Sequence, residues 1–529
     1  MADQLPRVTY SNTDIDLDAV HAKFDRDLPV FQQAALGQRH GESGLDDGVL
    51  VDAWVDEFSP IDRSIRTGTF PRASAAAIDA AVSLAAEAAV QWGARPPAER
   101  VSLLRRFSDL LAERRYDMAF ASLFEVGKSR IEAIGEAEEA VDLPRYYADE
   151  YEKNGFYRRS LEQVRPDETT ESRLIPFGVF AVIAPFNFPV ALSVNMISSA
   201  LLAGNSVVFK PAEGCGLSGR MIVQAAIDAG LPHGVINIVH GDGDVGRQLV
   251  AHPLVDGIAF TGSYAVGMQI ARTAIAGAYA KPVVAEMGGK NPAYVTASAD
   301  VAVAAEGVAR SAFGLQGQKC SSCSVAYVDD KVYDAFVAAL TDFTSRLPIG
   351  DPRDRKTFIG AVYNEKTLAR FSEAVEEAGR VGRVITGGAR VTTGALGAGC
   401  FVEPTIVELP AGTRLTTEEL FMPFLALRRV CSLEAAMIEG NAVQYGLAAG
   451  VFAEDEADVA YFLDHAQAGV VYANRSSGAT TGAWPGVQSF CGWKGSGVSH
   501  KGGLGPYFLP QFMHEQSRTL IAANARRAG

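Results

Sequence analysis

The stretch Val179-Phe180-Ala181-Val182-Ile183-Ala184 is a short apolar run of the kind that forms a buried strand. Similar runs recur downstream, and helical patterns separate them, so that strands and helices alternate along the chain. The strand patterns lie at 206–210, 235–239 and 257–260, and the helical runs lie at 217–229, 244–251 and 265–280. Such alternation predicts an α/β fold built on a parallel sheet.

The same alternation continues after Asn291 and predicts a second α/β domain, joined to the first near residues 285–292. Before this region, residues 74–111 and 116–151 each have a helical pattern, whereas residues 1–75 are polar with weak periodicity. Two polar, extended segments within 156–176 predict a hairpin that protrudes between the domains.

The bulk composition excludes several classes of function. The chain has 529 residues, enough for two to four domains, and a net charge of −14, which argues against a nucleic-acid partner. The first six residues lack the basic start and apolar core of a signal peptide. The most apolar stretch, 179–203, is broken by Pro185, Asn187 and Pro189, which argues against a membrane span.

The cysteines predict a reduced, cytoplasmic protein. There are six of them, and they are too few and too scattered for a disulfide scaffold. Cys320 and Cys323 have the spacing of a zinc half-site, but no second pair completes it, so we expect no metal.

Three residues together could make and then hydrolyse a thioester. Cys320 lies in a glycine-opened turn after a helical run, and a thiol there, beside Lys319 and hydroxyls, is expected to lose its proton more easily than a core thiol. Glu286 precedes two glycines that would leave its carboxylate free in a cleft, and Asn187 offers an amide donor. Taken singly, each also fits an ordinary role, such as a buried thiol or a surface carboxylate.

Two segments at the ends of predicted strands could hold a dinucleotide. Lys210 and Glu213 could bind the hydroxyls of an adenosine ribose, and Glu213 would repel a 2′-phosphate, which favours NAD over NADP. Gly262 and Ser263 open a helix and could bind a pyrophosphate. A surface ion pair and a capped helix start are the alternatives, and the Gly-x-Gly-x-x-Gly fingerprint is absent.

Six motifs in order make the chain resemble the aldehyde dehydrogenase family. They lie at 185–189, 210–213, 260–263, 286–292, 317–320 and 418–423, and the resemblance runs from about residue 50 to the C-terminus. It implies Cys320 as the nucleophile, Glu286 as the base that releases the acid, and Asn187 as a donor to the oxyanion. It also implies NAD as the cofactor, with NADP as the alternative, held by Ile183, Pro185, Phe186, Lys210, Glu213, Gly243, Phe260, Thr261, Gly262, Ser263, Gly288, Glu419 and Phe421.

Within this family the chain is most similar to the 1-pyrroline-5-carboxylate dehydrogenase group, which oxidises L-glutamate γ-semialdehyde to glutamate. The resemblance is carried by 125–148, by Ser321 after the cysteine, and by 481–488. It implies a substrate site made of Glu139, Phe188, Ser321, Gly482, Ala483 and Phe490. The alternatives are another semialdehyde, an aromatic or aliphatic aldehyde, or a non-catalytic NAD-binding protein on the same fold.

Two departures from the family pattern bear on these expectations. Met422 stands where the family usually has glycine, beside the expected nicotinamide site, and the loop 474–492 is longer and ends in an unusual sequence. The resemblance further implies an NAD-binding domain at 1–155 and 177–288 and a catalytic domain at 289–495. The segments 156–176 and 496–529 would form a small β extension that joins subunits into a homodimer or a larger assembly of dimers.

Overall fold

The computed structural model of the chain describes residues 7–9, 16–41, 51–476 and 483–521. These residues form fifteen α-helices and nineteen strands. The helices are α1 (Asp18–Ala35), α2 (Ala75–Ala94), α3 (Pro97–Glu113), α4 (Arg115–Val126), α5 (Arg130–Lys153), α6 (Ala191–Ala203), α7 (Gly216–Asp228), α8 (Gly243–Ala251), α9 (Tyr264–Ile275), α10 (Val301–Phe313), α11 (Tyr333–Ser345), α12 (Glu365–Val381), α13 (Arg414–Thr417), α14 (Leu433–Asn441) and α15 (Glu456–His465).

The strands fall into two large, mainly parallel sheets and three small antiparallel sheets. They are β1 (Val51–Phe58), β2 (Arg66–Ala73), β3 (Arg158–Ser160), β4 (Glu168–Pro176), β5 (Val179–Ile183), β6 (Ser206–Lys210), β7 (Ile236–Ile238), β8 (Gly257–Gly262), β9 (Val283–Met287), β10 (Asn291–Val295), β11 (Cys323–Asp329), β12 (Arg383–Thr386), β13 (Thr405–Glu408), β14 (Phe424–Val430), β15 (Tyr445–Gly446), β16 (Ala448–Phe452), β17 (Val470–Ala473), β18 (Trp493–Lys494) and β19 (Met513–Ile521).

The first large sheet has the strand order β7-β6-β5-β8-β9 and is parallel throughout. Its central strand β5 is the apolar run quoted at the start, and its residues are buried because helices cover both faces of such a sheet. The second sheet has the order β12-β13-β14-β11-β10-β16-β17 and is parallel except for the edge pair β12 and β13. The predicted α/β class is therefore confirmed.

A three-stranded antiparallel sheet, β19-β4-β3, joins the segment at 158–176 to the C-terminal strand. The predicted hairpin is present, since β3 and β4 pair directly. The two large sheets occupy 179–287 and 291–473. The exact domain limits stay a prediction. Among the described helices, none is long and apolar enough to cross a bilayer.

Two of the predicted helical stretches are wrong in one respect: each forms two helices in the structure instead of one. The pattern at 116–151 is divided between α4 and α5, because Gly127 adopts a left-handed φ of 79° and Ser129 caps the next helix by accepting from the Glu132 amide. The pattern at 74–111 is divided between α2 and α3 by Pro96 and Pro97. The weakly periodic N-terminal region also forms α1 and the β1–β2 hairpin, which the sequence did not predict.

Candidate active site

The turn that carries Cys320 is strained and firmly held. It follows α10 and precedes β11, and it contains Leu315 and Gln316 at φ values of 48° and 55°, which non-glycine residues seldom adopt. The fully buried Gln316 side chain holds this conformation, because its Nε2 donates to the carbonyls of Gly127 and Ala361 at 2.9 and 2.7 Å. The sequence thus places the thiol on a rigid turn rather than on a helix or strand.

Cys320 lies where two cavities meet. A large cleft of about 550 Å³ runs along the carboxyl ends of β5, β8 and β9 and reaches Cys320 from one side. A smaller pocket of about 70 Å³, lined mainly by apolar side chains, reaches Cys320 from the other side. A molecule in the large cleft and a second one in the pocket could therefore both contact the same sulfur atom.

Glu286, the penultimate residue of β9, faces the thiol from the pocket. The Cys320 Sγ donates to Glu286 Oε1 at 3.4 Å. Burial raises the pKa of Glu286 to about 8, the hydrogen bond from Cys320 opposes this shift, and the charge of Glu139 adds to it. A carboxyl group with a pKa near neutrality suits a general base, because it can both hold and release a proton at working pH.

The expectation that Lys319 helps Cys320 to ionise was wrong. The Lys319 ammonium forms an ion pair with Glu132 at 2.7 Å and is buried in that pairing. Burial raises the pKa of the Cys320 thiol well above its usual range, and the neighbouring Glu286 raises it further. The protonated thiol is therefore the resting form, and Glu286 is placed to accept its proton.

Asn187 lies beside the same turn, almost fully buried. Its Nδ2 donates to the carbonyl of Gln318 at 2.9 Å, two residues before the cysteine. An amide nitrogen carries two hydrogens, and Asn187 lines the large cleft together with Cys320. The structure thus brings together Cys320, Glu286 and Asn187, which are far apart in sequence.

Most of the residues predicted to hold a dinucleotide line the large cleft. Glu419 reaches it from the connection between α13 and β14 and accepts from the Gly289 amide at 2.9 Å. Burial raises the pKa of Glu419 to about 7. A methyl group on Gly288 would overlap the Glu419 carboxylate, so a larger residue there would displace this side chain. The predicted residues in the lining are Pro185, Phe186, Glu213, Phe260, Thr261, Gly262, Ser263, Gly288, Glu419 and Phe421.

Three predicted cofactor residues are not among the residues that line the cleft. Lys210 ends β6 with its side chain against Gly246 of α8, its Nζ donates to the Pro211 carbonyl at 3.2 Å, and burial lowers its pKa. Ile183 packs toward the same glycine, and Gly243 is the first residue of α8. Their contribution to cofactor binding stays a prediction.

The predicted substrate residues gather in the smaller pocket. Glu139, Phe188, Ser321, Ala483 and Phe490 all line it, together with Glu286 and Cys320. The predicted residue Gly482 lies outside the described part of the chain. The sequence did not predict the other lining residues as substrate contacts, although Leu143 lies one helical turn after Glu139. These residues are Leu143, Leu192, Asn195, Lys319, Gly503 and Leu504.

Sequence reasoning also missed Tyr363 in the large cleft. Its ring stacks on Phe186 with centroids 3.8 Å apart, and its amide donates to the Gln318 side-chain oxygen at 2.9 Å. It follows a loop with no motif, so no local signal marks it. Met422, which replaces the usual glycine, is buried in the hydrophobic core and does not line the cleft.

Comparison with known proteins extends the likeness over nearly the whole chain. The model of the aldehyde dehydrogenase family matches residues 52–517. A protein from a Geobacillus species named 1-pyrroline-5-carboxylate dehydrogenase is 32% identical over 516 residues, which cover 96% of this chain and 97% of that protein.

Two solved structures are similar over 98% of this chain, each with a TM-score of 0.90. One is 1-pyrroline-5-carboxylate dehydrogenase from Thermus with bound NAD, 30% identical and covered completely. The other is proline utilization A from Bdellovibrio bacteriovorus inactivated by N-propargylglycine, 31% identical, of which 54% is covered. The likeness therefore includes both large sheets and the small β extension.

Proposed function

Since the chain belongs to the aldehyde dehydrogenase family, we propose that it oxidises an aldehyde to a carboxylic acid with NAD, through a thioester on Cys320. The observation that carries this proposal is the position of Cys320 at the junction of the two cavities. An aldehyde in the smaller pocket and a dinucleotide in the large cleft would meet at the nucleophile.

Each side chain around the sulfur has a separate role in the proposed reaction. Glu286 accepts the Cys320 proton, and the thiolate attacks the aldehyde carbon to form a thiohemiacetal whose oxyanion accepts from Asn187 and the Cys320 amide. NAD, when bound in the cleft, supplies the two-electron oxidation that converts this adduct into a thioester. Glu286 then releases the Cys320 proton to solvent and, ionised again, takes a proton from a water that attacks the thioester carbon. The carbon–sulfur bond breaks to release the acid, and the leaving thiolate takes up a proton to restore the thiol.

The cleft fits a dinucleotide in size and in the chemistry of its lining. Its volume lies within the range of cofactor sites, and Ser263 caps α9 where backbone amides can meet a pyrophosphate. Glu419 and Phe421 would hold the nicotinamide ribose and ring. Glu213 is exposed in the lining, where its carboxylate would disfavour a 2′-phosphate, so NAD is preferred to NADP.

For the substrate, we propose L-glutamate γ-semialdehyde. Glu139 is buried in the pocket and would pair with the α-amino group, while Ser321 and Ala483, with Gly482, would hold the α-carboxylate. Phe188 and Phe490 would cover the aliphatic part. Two of the relatives described above are themselves named 1-pyrroline-5-carboxylate dehydrogenase, which supports this choice.

The variant Glu139→Gln tests the substrate. Because a hydrogen bond to a charged group contributes about 1.5–3 kcal/mol, the ratio of kcat/KM for glutamate semialdehyde to kcat/KM for propanal should fall at least about tenfold. The ratio is used because the charge of Glu139 also raises the pKa of Glu286, which affects both aldehydes alike. NADH absorbance with both aldehydes, and with NADP in place of NAD, measures this. Glu138→Gln is the matched control, since Glu138 pairs with Arg115 at 3.0 Å and does not line the pocket.

Two outcomes would contradict the proposal at different levels. Undiminished oxidation of glutamate semialdehyde by Glu139→Gln would reject the amino-group contact and favour a different aldehyde. No NADH from the native protein with any aldehyde would favour a non-catalytic NAD-binding protein.

We also propose that the chain forms a homodimer or an assembly of dimers. Among the described strands, β19 and β3 are the outer strands of the three-stranded sheet, and each has one edge without a strand partner. Such edges favour pairing with another chain. Light scattering should give at least twice the 56.2 kDa of one chain, and a stable monomer would contradict this.

A further inference from the structure

One face of α5 builds a wall of the smaller pocket. Glu139 and Leu143 line the cavity, and Asp142, Tyr146 and Tyr147 occupy the neighbouring positions on the same side of the helix. Their spacing of three, four, seven and eight residues from Glu139 places all five on one helical face. The face that would contact the substrate therefore also contacts the segments that close the pocket.

The loop 483–490 forms the opposite wall, since Ala483 and Phe490 line the pocket. Backbone hydrogen bonds tie it to the next segment, with Gly486 donating to Leu504 and Phe490 donating to Gly503, both at 2.9 Å. That segment is tied in turn to α5, because the Leu504 amide donates to the Tyr147 hydroxyl at 2.9 Å. On this side the hydrogen bonds connect the loop to α5 through an intermediate segment.

A direct connection from the loop to α5 is made by Trp484. Its indole Nε1 donates to Asp142 Oδ2 at 2.8 Å, across 342 positions of sequence, and the Trp484 side chain is buried. The acceptor is a carboxylate, which makes this a charge-assisted hydrogen bond. Arg7 adds an ion pair to Asp142 and places its guanidinium 5.4 Å from the indole centroid.

We propose that Asp142 and Trp484 are positioning residues that set substrate specificity by holding the loop 483–490 against α5. This inference rests on the proposed function. When the hydrogen bond is present, Ala483 and Phe490 stand in place to meet the far end of a long substrate. When it is absent, only a fraction of molecules has the closed pocket, so the apparent affinity for that substrate falls in proportion. A short aldehyde that reaches Cys320 alone gains nothing from the loop.

Kinetics of three variants test this. Asp142→Ala and Trp484→Phe each remove the hydrogen bond, the second while keeping an aromatic ring. We expect KM for glutamate semialdehyde to rise about tenfold with kcat within about twofold of the native value, and the constants for propanal to stay unchanged. Asp142→Asn is the matched control, because its amide oxygen still accepts from the indole although the charge and the Arg7 ion pair are gone. Its constants should lie closer to those of the native protein than to those of Asp142→Ala.

A second measurement needs no substrate. Because the large cleft also reaches Cys320, the reaction is run with NAD present to fill that cleft. Iodoacetamide should then alkylate this thiol several times faster in Asp142→Ala and Trp484→Phe, whose pocket is open, than in the native protein and Asp142→Asn. The sulfur displaces iodide, and mass spectrometry of the Cys320 peptide separates the reaction from that of the exposed Cys431.

The outcomes separate this inference from the proposed substrate. A native protein that oxidises propanal but not glutamate semialdehyde rejects the substrate, while the alkylation rates still decide the role of the hydrogen bond. Equal alkylation in all variants, equal losses with propanal and the longer aldehyde, or an Asp142→Asn variant as impaired as Asp142→Ala would each overturn the inference.

Discussion

Replacing Cys320 by alanine is expected to lower aldehyde oxidation by at least about 10³-fold with every aldehyde, since removal of a catalytic nucleophile has effects of this size or larger. The reason lies in the position of the sulfur at the meeting point of the two cavities. Without it no covalent adduct can form, and the aldehyde has no bond to the protein from which it could be oxidised. Initial rates of NADH formation at saturating aldehyde and NAD measure the loss.

The control for this variant is Cys431→Ala, which removes an exposed thiol and should leave the rate unchanged. Binding of NAD, followed by quenching of protein fluorescence, should persist in Cys320→Ala, because the cleft keeps its other lining residues. If Cys320→Ala reduced NAD at the native rate, the thioester chemistry would be rejected. If it lost NAD binding as well, its low rate would say nothing of the nucleophile, and Cys320→Ser would be tested in its place.

The sequence predicted those parts of the fold that depend on local pattern. The strand at 206–210 has the predicted bounds, and the helix predicted at 244–251 begins one residue earlier, because each combines an apolar pattern with clear limits. The sequence did not predict the β1–β2 hairpin or α1, because the packing of these elements depends on distant segments. In addition, β1 is exposed along most of its length, so burial leaves little pattern in its sequence. The break at Gly127 depends on a left-handed residue within an otherwise helical pattern.

The sequence predicted which residues form the candidate site, but it did not predict the electrostatic environment around them. Motifs indicated Cys320, Glu286 and Asn187, and the topology of two sheets brings them together. The raised pKa of the Cys320 thiol could not be predicted, because burial is a property of the folded chain and the nearby Lys319 turns to Glu132 instead. The hydrogen bond between Asp142 and Trp484 could not be predicted from the sequence either, because no local pattern relates two positions 342 residues apart.

Replacing Glu286 by glutamine is expected to lower the steady-state rate by about 10²–10⁴-fold, the usual contribution of a general base. Glutamine keeps the size of the side chain but cannot accept the proton of Cys320 or of the attacking water. Hydroxylamine, a nucleophile that needs less help from a base, should restore part of the release of the acyl group. An unchanged rate in Glu286→Gln would reject the assignment of Glu286 as the base.

The pH dependence of the native rate provides the sharpest test of Glu286. Because burial raises the pKa of this carboxyl group to about 8, it is mostly protonated at neutral pH and cannot then act as a base. The rate should therefore rise as the pH increases through about 8 and level off above it, whereas an ordinary exposed carboxylate, ionised throughout this range, would give no inflection. The Glu286→Gln variant should lack this inflection. A native profile that is flat between pH 6 and pH 9, within about twofold, would show that Glu286 is ionised throughout or that another group activates the water.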